Sequence, residues 1–320
     1  STAGDETIAL ADVSIEDPTL CGRFLVRVLS GVTVGESPSW MAQRLTAAGM
    51  RPINSVVDVS NYVMLEVGQP NHTYDLAKLA DAKLGVRRAN SGETVETLDG
   101  TIRELSELDG VIVDGEDKPV GSAGVMGGAS TEISASTTDV LLEMAWWDPM
   151  AIAVTSARLN LHSEASLRFK RGVDPELADL AARRFAELLA EVCGARLHPG
   201  VVDERGDLPP RDAVKVRPAR VNMILGTDME SGEMAELIRG IGFDSVEEGG
   251  ELSVMVPSWR LDATTEIDVI EEIGRMHGFA RIAKTVPRPP TGGALSCLLY
   301  TSDAADEGVE GGGGGGGGGG

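Results

Sequence analysis

Residues Arg51-Pro-Ile-Asn-Ser-Val-Val-Asp-Val-Ser-Asn-Tyr-Val-Met-Leu-Glu-Val-Gly-Gln-Pro-Asn-His-Thr-Tyr-Asp75 constrain the fold more than any other part of the chain. Asn54, Asp58, Asn61, Gln69, His72 and Asp75 sit among apolar residues too densely for an ordinary solvated strand or helix. A core-building segment alternates or repeats at helical spacing. This one reads as a segment that presents several side chains at one place.

The chain has 320 residues and is 42% hydrophobic, which suits a globular protein of about two domains. No apolar run approaches the ~18 residues needed to cross a bilayer, so no membrane partner is expected. The polar start, Ser1 to Thr7, lacks the basic-then-apolar order of a secretory leader. Cys21, Cys193 and Cys297 are widely spaced and odd in number. They form no CxxC pair, so neither a disulfide framework nor a zinc site is expected, and a cytoplasmic location fits. The formal charge of −22 argues against a surface that grips many phosphates. A module that touches only the end of an RNA can still be acidic.

The patterning predicts an α+β fold, because strands and helices mix without regular βαβ alternation. Residues 1–9 read as a frayed remnant. Phe24 to Leu29 reads as a strand. Ser37-Pro38 predicts a helix with Ser37 as N-cap and Pro38 at its first position, closed by Gly49. Further strands are expected at 84–88, 93–98 and 101–105, the last two joined by the Asp99-Gly100 turn. Val111 to Asp114 and Pro119 to Gly121 form another pair, and Val140 to Trp147 is a strand. Asp174-Pro175 starts an amphipathic helix whose buried face holds Leu177, Leu180, Ala181, Leu188, Leu189 and Val192, ended by Gly194. Asp207-Leu-Pro-Pro-Arg-Asp212 reads as a linker. A smaller unit follows, with helices near 229–240 and 264–277 and a hairpin around Gly249-Gly250.

Four segments, in this order, carry a resemblance: residues 51–75, Gly121-Ser-Ala-Gly-Val-Met-Gly-Gly128, Leu141-Leu-Glu-Met-Ala145 and 162–174. Together they resemble the tRNA-editing domain of the bacterial phenylalanine–tRNA ligase β subunit, over about residues 10–205. Residues 214–288 are similar to the small winged-helix-like domain that follows it, with 206–213 as linker. Cys21-Gly-Arg-Phe24 departs from the family's commoner Cys-Pro-Arg-Tyr. The segment Ser296 to Glu307 and the glycine run 311–320 match nothing in the family. Their likeness to translated adapter read-through implies an artefactual tail over 289–320.

The resemblance implies hydrolysis of tyrosine wrongly attached to tRNA(Phe). A pocket for phenylalanine poorly excludes an isostere that adds one hydroxyl, so a second site must remove the error. Glu143 matches the glutamate that reads the tyrosine hydroxyl. Its plainer alternative is a structural acid in a salt bridge. His72 matches the histidine near the scissile ester, where it would activate or position water; the alternative is a structural histidine bonded to Asp75 or backbone. Gly127, Ser163 and Ala165 match small positions lining the pocket, Ser163 standing where threonine is common. Arg51, Asn54 and Asp58 read as scaffold.

A second cluster joins Asp262 to Asp268, Glu271 and Glu272. The last three share one helix face, where unpaired acids repel. Oxygen ligands suit Mg²⁺, and the resemblance implies a Mg²⁺ site shared with the α subunit. Spacing alone fits helix-start chemistry as well, with Thr265 as N-cap and Asp268 three residues on. The family's assembly is an (αβ)₂ heterotetramer with tRNA(Phe). Its ATP is used by the whole ligase, and no ATP motif is present in this chain. The alternatives are a non-catalytic module that binds tRNA or the α subunit, a DNA-binding winged helix on 214–287, which the acidity opposes, and a fragment inert by itself.

Overall fold

The structure, a computed structural model, describes residues 6–284; the expected tail of 289–320 lies outside them. The chain is α+β, and one strand organises its larger part. Asp139–Trp147 pairs antiparallel with Cys21–Ser30 on one side and Asn71–Asp75 on the other. Arg196–Leu197 and Val202–Arg205 extend the far edge of Cys21–Ser30. The two long strands are buried almost throughout because both faces of this sheet are covered. Successive side chains of a strand point to opposite faces. Leu25, Leu29, Leu142 and Met144 therefore pack with the helices Ser55–Val67 and Ala178–Cys193, while Phe24, Val26, Leu141 and Ala145 face the opposite way.

That opposite face meets a second, mixed sheet of Asp12–Ile15, Lys83–Arg88, Gly110–Val113, Pro119–Ser122 and Met126–Gly127, in that order. Its first pair is parallel and the others antiparallel. Val13, Leu84, Val86, Ile112 and Val120 close one core against Phe24, Leu141 and Trp147. The expected Asp99-Gly100 hairpin forms between Thr94–Glu96 and Ile102–Glu104, with Gly100 at φ +74°.

Several expectations change. Residues 55–67 are a helix, and its polar residues fix its start. Asn54 is the N-cap, accepting from the Val56 and Val57 amides. Asp58, 1% exposed, accepts from Ser37 Oγ at 2.5 Å and from the Ile53 amide at 2.8 Å. Ser37 is thus engaged with Asp58, and the preceding helix, Ser39–Ala47, has Pro38 as N-cap instead. The long helix begins at Ala178, because the Asp174 carboxylate accepts the Glu176 amide in a turn. Leu180 faces solvent, and Phe185 fills the buried face. The first described residues are tied down: the Thr7 amide donates to Pro199 O at 2.8 Å and Thr7 is buried. Gly22 lies under Leu208 and the Trp146 ring, where any side chain would collide.

Residues 214–277 close a core of their own around Val216, Ile238, Phe243, Val254 and Ile270. Val214–Val216, Glu251–Met255 and Asp244–Glu248 form its sheet. Helices Ser231–Arg239 and Glu266–His277 cover it as expected. A third helix, Pro218–Leu225, was signalled by Pro218 at its first turn and by Gly226, in the left-handed region, after its end.

Candidate functional site

Strand register builds the site. Glu143 lies directly opposite His72, and Leu141 opposite Tyr74. Alternation then turns His72, Tyr74 and Glu143 toward the same face. Gln69, 1% exposed, donates to Ala145 O at 2.9 Å and Pro70 O at 3.0 Å, tethering the entrance of the short strand to the central one. Asn71 donates to Ser60 O at 3.1 Å and ties the same strand to the helix before it. Between this face, the segment 121–127 and the helix Glu164–Phe169 lies a pocket.

Glu143 is 5% exposed, and the Tyr74 hydroxyl donates to its Oε2 at 2.5 Å. Burial pushes the carboxyl up to about 7; the Tyr74 bond pulls the other way but more weakly. Among the described residues no cation pairs with Glu143, so the salt-bridge alternative is not what the structure holds. Burial also holds the His72 imidazole down at about 4, leaving it neutral at pH 7. Its ring packs edge-on against Tyr74, with centroids 4.5 Å apart and planes at 86°. Its Nε2 is sealed from solvent and has no hydrogen-bond partner among the described residues. Asp75 is not its partner: that carboxylate accepts from Thr137 Oγ1 and the Ala77 amide. The arrangement can accept a hydrogen bond from a buried hydroxyl at Glu143 and meet a water or carbonyl beside a neutral imidazole.

The small residues divide. Ala165 lines the pocket and Gly127 borders it. A side chain on Gly127 would overlap the His72 ring, so its smallness makes room for the histidine itself. Ser163 does not line the pocket. It caps the helix Glu164–Phe169, accepting from the Ser166 amide, and donates to Val125 O at 2.6 Å, so it fixes the wall that carries Ala165. Tyr74 and Phe169 were not singled out from the sequence, yet both line the site. The signal for Tyr74 was its two-residue offset from His72 on a strand.

The four acids of the second cluster do not converge. The Asp268 carboxylate closes a capping box with Thr265, accepting from its amide at 2.8 Å and its hydroxyl at 2.7 Å. Glu272 is bound by Arg260 at 2.9 Å and by Arg275. Asp262 pairs with Arg260 at 2.8 Å, and Glu271 is exposed. Among the described residues no group of three His, Cys, Asp or Glu side chains could hold a metal ion. In this chain the acids are engaged by arginines and a helix cap rather than grouped as cation ligands. No helix among the described residues is long and apolar enough to cross a membrane.

The family described as B3/4 domain matches residues 20–194, and that described as tRNA synthetase B5 domain matches 214–279. A phenylalanine–tRNA ligase beta subunit from Moorella thermoacetica is 46% identical over 284 residues, covering 89% of this chain and 35% of the relative. That of Rhodopirellula baltica is 40% identical over 288 residues, covering 90% and 42%. The chain thus spans well under half the length of these relatives. A crystal structure of an N-terminal fragment of the phenylalanyl-tRNA synthetase beta-subunit from Pyrococcus horikoshii aligns at TM-score 0.42 and 13% identity, covering 87% of this chain and 77% of that one.

Proposed function

The chain belongs to the family of phenylalanine–tRNA ligase beta subunits, and we propose that its larger part, residues 10–205, hydrolyses Tyr-tRNA(Phe). The observation that carries this reading is a buried carboxylate at the wall of a pocket, without a cationic partner among the described residues. A phenolic hydroxyl donates to Glu143, whereas a phenylalanyl ring leaves that acceptor unpaired at a cost of about 1–3 kcal/mol. Water adds to the ester carbonyl, the bond to the terminal ribose oxygen breaks, and tyrosine and tRNA separate. An imidazole held down at about 4 is a weak proton store near pH 7, so His72 acts by positioning the water through its neutral ring.

Residues 214–288, beyond the 206–213 linker, support the alpha subunit, where ATP-dependent aminoacylation takes place in an (αβ)₂ assembly in the cytoplasm. Exposed Met223, Trp259 and Phe279 supply apolar surface for that contact.

The test is a complete ligase whose corresponding segment is replaced by residues 10–288. Deacylation of Tyr-tRNA(Phe) is followed beside Phe-tRNA(Phe), with Glu143→Ala in parallel. Selective loss of tyrosine, slowed at least about tenfold by the substitution, is expected. A ligase that charges phenylalanine but shows no selective deacylation overturns the reading in favour of a binding module.

A further inference from the structure

Tyr74 is buried on the face that carries Glu143 and His72, and volume alone does not account for its hydroxyl. A phenylalanine would fill the same space without a polar group to bury. Among the described residues the hydroxyl makes one hydrogen bond, to Oε2 of Glu143. Among the described residues no hydrogen bond reaches Oε1, the other oxygen of that carboxylate. The two residues sit at diagonal positions of paired strands, within reach of an aromatic side chain. The Tyr74 ring cannot swing freely, because it is 1% exposed and the His72 ring meets it edge-on.

A carboxylate that reads a hydroxyl needs one oxygen directed at the ligand and little freedom to turn away. A buried glutamate with several rotatable bonds lacks that restraint unless another group supplies it. We infer that Tyr74 is a positioning residue: its hydroxyl pins one oxygen of Glu143 so that the other stands as the acceptor for a phenolic hydroxyl in the pocket. This rests on the reading that the pocket takes a tyrosyl group.

The titratable groups that face Glu143 are Tyr74 and His72 on the adjoining strand and Cys21 at the start of the neighbouring long strand. Burial pushes the Tyr74 phenol and the Cys21 thiol well up and the His72 imidazole down. Glu143 is therefore the one member of this set that changes charge near neutral pH. The Tyr74 bond favours its ionised form, so removing that bond should move its titration upward.

Tyr74→Phe keeps the ring and removes the pin. In the ligase carrying residues 10–288, tyrosine deacylation at pH 7 should fall about tenfold. The midpoint of its rise with pH should move up by about one unit, with phenylalanine charging unchanged. The second measurement does not need editing. The carboxyl band of Glu143 is titrated by infrared spectroscopy in the 320-residue chain, identified by its loss in Glu143→Gln. Its midpoint should rise in Tyr74→Phe. An unmoved midpoint, or unchanged discrimination between tyrosine and phenylalanine in a ligase that edits, overturns the inference. If the unsubstituted ligase hydrolyses no Tyr-tRNA, the editing reading fails separately, and the infrared midpoint still decides whether Tyr74 pins Glu143.

Discussion

Glu143 and Glu272 expose little surface, 5% and 7%, but Glu143 lies deep in the protein and Glu272 under a thin cover, and their electrostatics are opposite. Two guanidiniums, from Arg260 and Arg275, hold Glu272 below the ordinary carboxylate range. Glu143 has only the Tyr74 hydroxyl, and burial wins, pushing it up to about 7. The difference lies in what surrounds each acid. The carboxylate among arginines has its lone pairs occupied and ties the Glu266–His277 helix to Arg260, beside the sheet. The carboxylate in the pocket lacks a cation and keeps acceptor capacity for a visitor. Burial alone does not mark a functional acid; burial without a compensating charge is the sharper sign.

The strongest way to break the comparison is to fill the pocket. Ala165→Trp places an indole where the substrate ring would sit and should lower tyrosine deacylation by on the order of 100-fold or more, leaving phenylalanine charging intact. A retained rate would place the chemistry elsewhere. Next comes the pH dependence of stability. Because folding raises the Glu143 carboxyl above its ordinary 4.5, its contribution is whole below that value and lost as pH climbs through about 7. Glu143→Gln removes this loss, so the variant should exceed the parent by about 3 kcal/mol at pH 8 and match it near pH 4, in urea unfolding at both pH values. Glu272 has the reverse sign: its folded-state shift is downward, so its stabilisation is present at neutral pH and fades on acidification. Glu272→Gln should cost about 1 kcal/mol at pH 7 and less at acidic pH, by the same unfolding measurement. Parallel pH slopes in the two variants would erase the distinction.

The sequence made the central strand, the Asp99-Gly100 hairpin and the two later helices legible because each is local. Apolar runs, turn dipeptides and caps act over a few residues. The helix Ser55–Val67 was obscured by its own capping residues. Asn54 and Asp58 read as scaffold, and their bonds go to nearby amides and to Ser37; the density of such polar residues hid the helical period behind them. Glu143, His72 and Ala165 were identifiable through resemblance, but the bond between Tyr74 and Glu143 joins positions 69 residues apart and depends on register. Ser163 was placed in the lining by its match to a family position, whereas here its hydroxyl holds the wall together. The acid cluster shows the same limit. Spacing put Asp268, Glu271 and Glu272 on one helix, but it did not reveal Arg260 arriving from the preceding turn to claim Glu272.

The pairing of Asn71–Asp75 with Asp139–Trp147 also orders events in time. The second sheet and its hairpin occupy most of the chain between these strands, so they can fold while the first strand still waits for its neighbour. Contacts of such long separation form slowly, because the intervening loop must close before they give any return. A chain emerging from the ribosome carries His72 long before Glu143 and Ala165 exist to face it. The pocket therefore cannot close before residues 139–169 have been made, and a nascent chain that ends short of them carries His72 without the walls that face it.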